Sequence, residues 1–201
     1  MCHAIDNLST AIDLYGVKVY GELKLRMMLD NPDAIRMYRF CGEKGLPVTV
    51  HIDYEFNRAT NYPRPNYWYG GGIDAFERAI AKCPETNFLG HAPGFWAHIS
   101  GDYDMKTAYP RGKVVPGGKL VEMLDKYPNL YCDWSAGSGC GALKRDPEFA
   151  VEFLTKYQDR VLYARDYFDN EHQEFLNSLN LSQDILDKIY YKNALKLINE
   201  L

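Results

Sequence analysis

Four polar residues carry most of the chemical potential of this sequence: Glu22, His51, His91 and Asp166. Each stands at or just past the C-terminal end of a short run of β-branched and aromatic residues. The runs are GVKVYGEL, LPVTVHI, TNFLGHA and RVLYARD, and a further run, NLYCDWS, ends in Asp133 and Ser135. Imidazoles and carboxylates gathered at strand ends suit a divalent metal or proton transfer, because the strand ends of a parallel sheet share one rim.

The segments between these runs read as helices. Ile5, Leu8, Ile12 and Tyr15 fall three or four residues apart, the spacing of an amphipathic helix, which Gly16 closes. Asn31-Pro32 opens a second helix and Gly45 ends it, since proline at the first helical position loses no hydrogen bond and glycine accepts the left-handed cap. Further helices are expected through IDAFERAIAKC, KLVEMLDKY, DPEFAVEFLTKYQ with Asp146 as N-cap, and SQDILDKIYYKNALKLINEL with Ser182 as cap. The segment SAGSGCGA after the fourth strand reads as a glycine-rich turn.

Strands and helices therefore alternate, which implies right-handed βαβ units and a parallel sheet. The long loops all follow strands, whereas the helix-to-strand connections are short. That asymmetry puts the functional surface on one rim, as in a (β/α)8 barrel. Strand parity adds detail. In the first strand Val17, Val19 and Leu23 oppose Lys18, Tyr20, Glu22 and Lys24. In the second, Val48, Val50 and Ile52 oppose Thr49 and His51, and in the fifth Leu162, Ala164 and Asp166 share a face. An apolar outer face and a polar inner face near the mouth would bring Glu22, His51 and Asp166 together. An inward Glu22 could equally pair with Lys24 or Lys18.

The ordered series PVTVHI, FLGHAPG, NLYCDWSAGSG, RVLYARDYFD and KNALKL resembles the metal-dependent hydrolases of the amidohydrolase superfamily. The nearest branch is the one that contains aminocarboxymuconate-semialdehyde decarboxylase. The resemblance implies a (β/α)8 TIM-barrel fold, present here in part as strands four to eight within a single domain over residues 1–201. It implies His51 as a metal ligand, His91 as a catalytic histidine, and Asp166 as both metal ligand and proton acceptor. Glu22 and Lys24 would end strand four, with Glu22 a further metal ligand. The implied cofactor is a divalent metal, zinc first and manganese or iron next. The implied activity is attack of a metal-activated water on a small-molecule substrate, with decarboxylation in the same branch as an alternative.

Two departures stand out. The strand-eight motif, commonly Gly-Ser/Thr-Asp, is here Ala164-Arg165-Asp166, and no His-x-His pair occurs in the 201 residues. Full barrels have about 250 residues. A truncated, inactive barrel without a stable metal site is therefore the competing reading. A third reading takes Gly137, Gly139 and Ala142 as a dinucleotide fingerprint, against which stands their place after the next-to-last strand.

Other side chains are assigned by context. His98 and His172 read as loop or surface residues and His3 as incidental. Tyr54, Phe56, Tyr62, Tyr67, Trp68 and Tyr69 would wall a substrate pocket, cover the barrel mouth or form a subunit contact, and Phe95 and Trp96 would lean toward the pocket. A net charge of −4 without a dense basic stripe argues against nucleic acid. No apolar run suits a membrane span, and the N-terminus lacks the basic and apolar regions of a signal peptide. The five cysteines form no CxxC pair, so a reducing, cytoplasmic compartment is expected, with Cys41, Cys83 and Cys132 as packing residues. Unclosed strand edges near Val17–Leu23 and Arg160–Arg165 predict self-association or a homo-oligomer.

Overall fold

The computed structural model describes residues 2–24, 27–53, 70–104 and 107–199. Five strands form one parallel sheet in sequential order: β1 (Tyr20–Leu23), β2 (Val48–His51), β3 (Phe88–His91), β4 (Leu130–Trp134) and β5 (Val161–Tyr163). Helices α1 (Cys2–Tyr15), α2 (Pro32–Glu43), α3 (Gly72–Lys82), α4 (Pro93–Trp96), α5 (Lys119–Lys126), α6 (Ala136–Lys144) and α7 (Pro147–Lys156) precede β1 or connect the strands. Helix α8 (Glu171–Ser178), α9 (Gln183–Asp187), a π-helical turn (Lys188–Lys192) and α10 (Asn193–Leu197) follow β5. A sequentially ordered parallel sheet of this kind is a partial (β/α)8 barrel.

The two faces of the sheet differ. Val48, Val50, Ile52, Phe88, Leu130, Cys132, Trp134 and Val161 belong to the main core shared with the helices. The alternate positions of β2 and β4 (Thr49, His51, Tyr131 and Asp133) are only half-buried. Leu89, Leu162 and Leu197 form a separate small cluster on that second face, so α10 covers its lower part and leaves the strand ends polar. Burying a large apolar side chain contributes about 1.5–3 kcal/mol, which makes the helix-covered face the source of rigidity for the polar one.

Local chemistry explains the helix starts. The Asn31 side chain accepts from the Asp33 N–H, and the Asp146 carboxylate accepts from Phe149 N–H at 3.3 Å and from Val114 N–H at 3.0 Å. Gly16 and Gly45 take the left-handed conformation at the ends of α1 and α2.

Three expectations are revised. The parity of β1 breaks, because the register shifts between Tyr20 and Leu23; Tyr20 packs on the core and Val19 is exposed. Gly21 permits the irregularity, for a Cβ there would lie 2.6 Å from the Thr49 carbonyl oxygen. The glycine-rich segment is not a turn but helix α6. Its low helix propensity is overridden by packing, since Gly139 lies against Trp134 and Trp96 and its carbonyl accepts from Trp134 Nε1 at 2.8 Å. The last helix is interrupted by the π turn. Beyond that turn the Asn193 side chain donates to the carbonyls of Gln158 and Val161 at 2.7 and 2.8 Å, tying the segment to the edge of β5.

Candidate metal centre

The sheet register builds the site. His51 and His91 are paired across β2 and β3, and Gly90 pairs with Cys132 on β4. The next residues along, His91 and Asp133, therefore stand beside each other, while Glu22 reaches the same row from β1. His51 Nδ1 and Glu22 Oε1 are hydrogen-bonded, and Glu22 Oε1 lies 3.6 Å from His91 Nε2. One ligand atom from each of Glu22, His51 and His91 falls within 4.8 Å of the other two.

Two imidazoles and a carboxylate are a donor set suited to a divalent cation of the zinc, manganese or iron kind. Glu22 and His51 pair with each other here, and a cation would displace the proton from the same lone pairs. Lys24 Nζ lies 3.7 Å from Glu22 Oε1, so the pairing with lysine coexists with the histidine contact. His51 Nε2 is 3.8 Å from Asp53 Oδ2.

The far side of His91 is also organised. Its Nδ1 is 3.0 Å from Ser135 Oγ and 3.7 Å from Asp133 Oδ2. Asp133 Oδ1 is buried with no hydrogen-bond partner among the described residues. Trp96 Nε1 donates to the Asp133 carbonyl at 3.0 Å, which fixes that end of β4. Burial pushes the His91 pKa down, but the carboxylates of Asp133, Glu22 and Asp166 outweigh it and leave the pKa raised. For His51, burial dominates and lowers the pKa despite its bond to Glu22.

Asp166 is exposed, three residues past β5, and lies outside the cluster of Glu22, His51 and His91. It acts on His91 only through space. Arg165 turns along its own loop to the Asp169 carbonyl and the Asn170 side chain. Asp133 and Ser135, which the sequence placed at a strand end without a role, stand beside His91. Their signal was their place at the end of β4, with Asp133 level with His91 and Ser135 two residues beyond.

Several remaining assignments change. His98 is partly buried with its ring 4.8 Å from that of Tyr103, and burial lowers its pKa to about 4. His172 is buried edge-on to Trp134 rather than at the surface. Phe95 and Trp96 are core residues, with the Phe95 ring over Gly90. Cys41, Cys83 and Cys132 are buried free thiols, as expected, and so is Cys140. Tyr54, Phe56, Tyr62, Tyr67, Trp68 and Tyr69 lie outside the described residues. Among the described residues no helix is long and apolar enough to cross a membrane.

A family model described as amidohydrolase matches residues 4–199. The chain belongs to the amidohydrolase family. Solved structures agree on the fold. A TIM-barrel protein from Bordetella bronchiseptica aligns with a TM-score of 0.62 at 19% identity, over 98% of this chain and 62% of that one. A dihydroxybenzoic acid decarboxylase from Polaromonas, with bound manganese and 2-nitroresorcinol, aligns with a TM-score of 0.57 at 14% identity, over 98% and 65%. A candidate 2-pyrone-4,6-dicarboxylic acid hydrolase from Pseudomonas putida aligns with a TM-score of 0.58 at 15% identity, over 98% and 68%. This amidohydrolase chain thus spans 62–68% of the length of these three structures. The sequence has no match among curated proteins.

Proposed function

We propose that this chain, as a single domain over residues 1–201, is a metal-dependent hydrolase of the amidohydrolase type acting on a small molecule. Glu22, His51 and His91 would hold the cation. The observation that carries this reading is the convergence of their three ligand atoms within 4.8 Å, on one rim of a parallel sheet. A catalytic cation commonly has three protein ligands and an open position, and this set meets that count. When bound, a divalent metal would supply Lewis acidity and lower the pKa of water toward 7.

The side chains have separable tasks. Glu22 offsets the positive charge and keeps His51 oriented. His91 presents Nε2 to the site while Ser135 engages Nδ1, which holds the ring in place. Asp166, exposed past the end of β5, would accept a proton and pass it to solvent. Zinc is the first candidate metal, with manganese or iron next; the manganese in the Polaromonas neighbour supports a metal of this class.

Decarboxylation is the second reading, supported by the decarboxylase among the structural neighbours. The two are separated by product: hydrolysis consumes water and releases an acid, whereas decarboxylation releases carbon dioxide. The first test is metal content of the purified chain. A stoichiometric divalent cation, lost on His51→Ala, is the expected result. Wild-type protein that fails to retain zinc, manganese or iron after reconstitution would overturn the proposal.

A further inference from the structure

A cavity of about 400 Å³ lies between the segment after β3 and helix α6, and none of Glu22, His51, His91 or Asp166 lines it. Its volume is within the range of small-molecule sites. Three of its lining residues are cationic, Arg111, Lys144 and Arg145, and none of its described lining residues is acidic. Lys144 is already engaged by Glu171 at 2.6 Å. Arg145 donates to the carbonyls of Gly112 and Lys113, so it braces the loop that carries Arg111. Arg111 is exposed and has no ion-pair or hydrogen-bond partner among the described residues.

Two further observations point to a ligand. Ser138 lines the cavity, is 95% buried by its relative exposure of 5%, and its Oγ has no hydrogen-bond partner among the described residues. A buried hydroxyl left unpaired costs free energy, and rotation of Ser138 toward a polar group in the cavity would remove that cost. Gly141 faces open space, for a Cβ built there meets nothing within 4 Å. The helix backbone can therefore lie against a flat apolar body, backed by Trp96.

We propose that this cavity binds a small carboxylate with an apolar body. The carboxylate pairs with the Arg111 guanidinium and, once Ser138 rotates its buried hydroxyl toward the cavity, accepts from Oγ, and the body lies over Gly141. Guanidinium matches carboxylate geometry through two parallel donors, and such charge-assisted bonds are about twice as strong as neutral ones. The inference is independent of the metal centre.

Benzoate, its neutral counterpart benzamide, and inorganic phosphate serve as probes, titrated calorimetrically into the full chain. The His51→Ala background removes the metal centre as a competing site. Saturable benzoate binding is expected there, with benzamide weaker by about tenfold or more. Arg111→Gln should weaken benzoate by a similar factor. Gly141→Leu should abolish binding by filling the cavity, with an unchanged or higher unfolding temperature because leucine is the better helix former. Should Gly141→Leu fail to fold, Arg111→Gln decides. Equal binding of benzoate and benzamide, tighter binding of phosphate than benzoate, benzoate binding that survives folded Gly141→Leu, or no benzoate binding would each overturn the proposal.

Discussion

His51 and His91 occupy paired positions on neighbouring parallel strands, and their rings meet edge-to-face with centroids 5.4 Å apart. The pairing puts two imidazoles at one level of the sheet and lets a single carboxylate oxygen of Glu22 reach both. Rigid strands, rather than a loop, set this spacing. A shift of one residue in either strand would turn one histidine into the helix-covered core.

Ser135→Ala should weaken divalent-metal affinity about 10–100-fold while leaving the fold intact, because His91 Nδ1 loses its nearest hydrogen-bond partner. Competition with a chromogenic chelator measures the affinity, and circular dichroism checks the fold. Unchanged affinity would remove Ser135 from the support of the site.

Gly90→Val should destabilise the protein by about 1–3 kcal/mol, since even a Cβ at this position would lie 2.3 Å from the fully buried Phe95 ring. The urea midpoint should fall without a change in slope. Metal retention should fall with it, because His91 is the next residue in the strand.

Glu77 sits between Lys119 Nζ at 2.7 Å and Lys126 Nζ at 3.1 Å, joining α3 to α5, with Tyr127 also donating to it. The Lys119 hydrogen bond leads in holding its pKa down at about 2 from an ordinary 4.5. A depressed folded-state pKa stabilises above the unfolded value and is lost as pH falls through the folded one. Glu77→Gln should thus cost about 1 kcal/mol near neutrality, allowing for solvent screening, and flatten the stability profile between those two pH values. Chemical denaturation from pH 2 to pH 7 reads this directly, and a parallel acid limb in the variant would refute it.

Among the described residues strand β1 pairs on one side only, with β2, and Gly21 and Glu22 are exposed along it. At the opposite edge the Asn193 amide occupies the Val161 carbonyl. Self-association through β1 is therefore expected. Light scattering should give an apparent mass that rises with concentration, reduced by Val19→Lys. A concentration-independent monomer would count against it.

The polar strand ends were legible because alternation is local: LPVTVHI can bury Val48 and Val50 only by turning Thr49 and His51 the other way. Caps at Asn31 and Asp146 were legible for the same reason. The family series also survives, as the match over residues 4–199 confirms. Alternation failed where it was not local. The irregularity at Gly21 depends on the neighbouring strand, and α6 forms from a glycine-rich sequence because two tryptophans pack against Gly139.

The sequence by itself thus determined the parallel βα architecture and placed Glu22, His51 and His91 at strand ends, since period and capping are properties of adjacent residues. Tertiary structure alone decided which of these groups meet. Inter-strand register brought Glu22 to both histidines and set Asp133 and Ser135 behind His91, while Asp166, past the last strand, stayed at the exposed rim. Register is fixed by packing between strands far apart in the chain, and no local pattern encodes it.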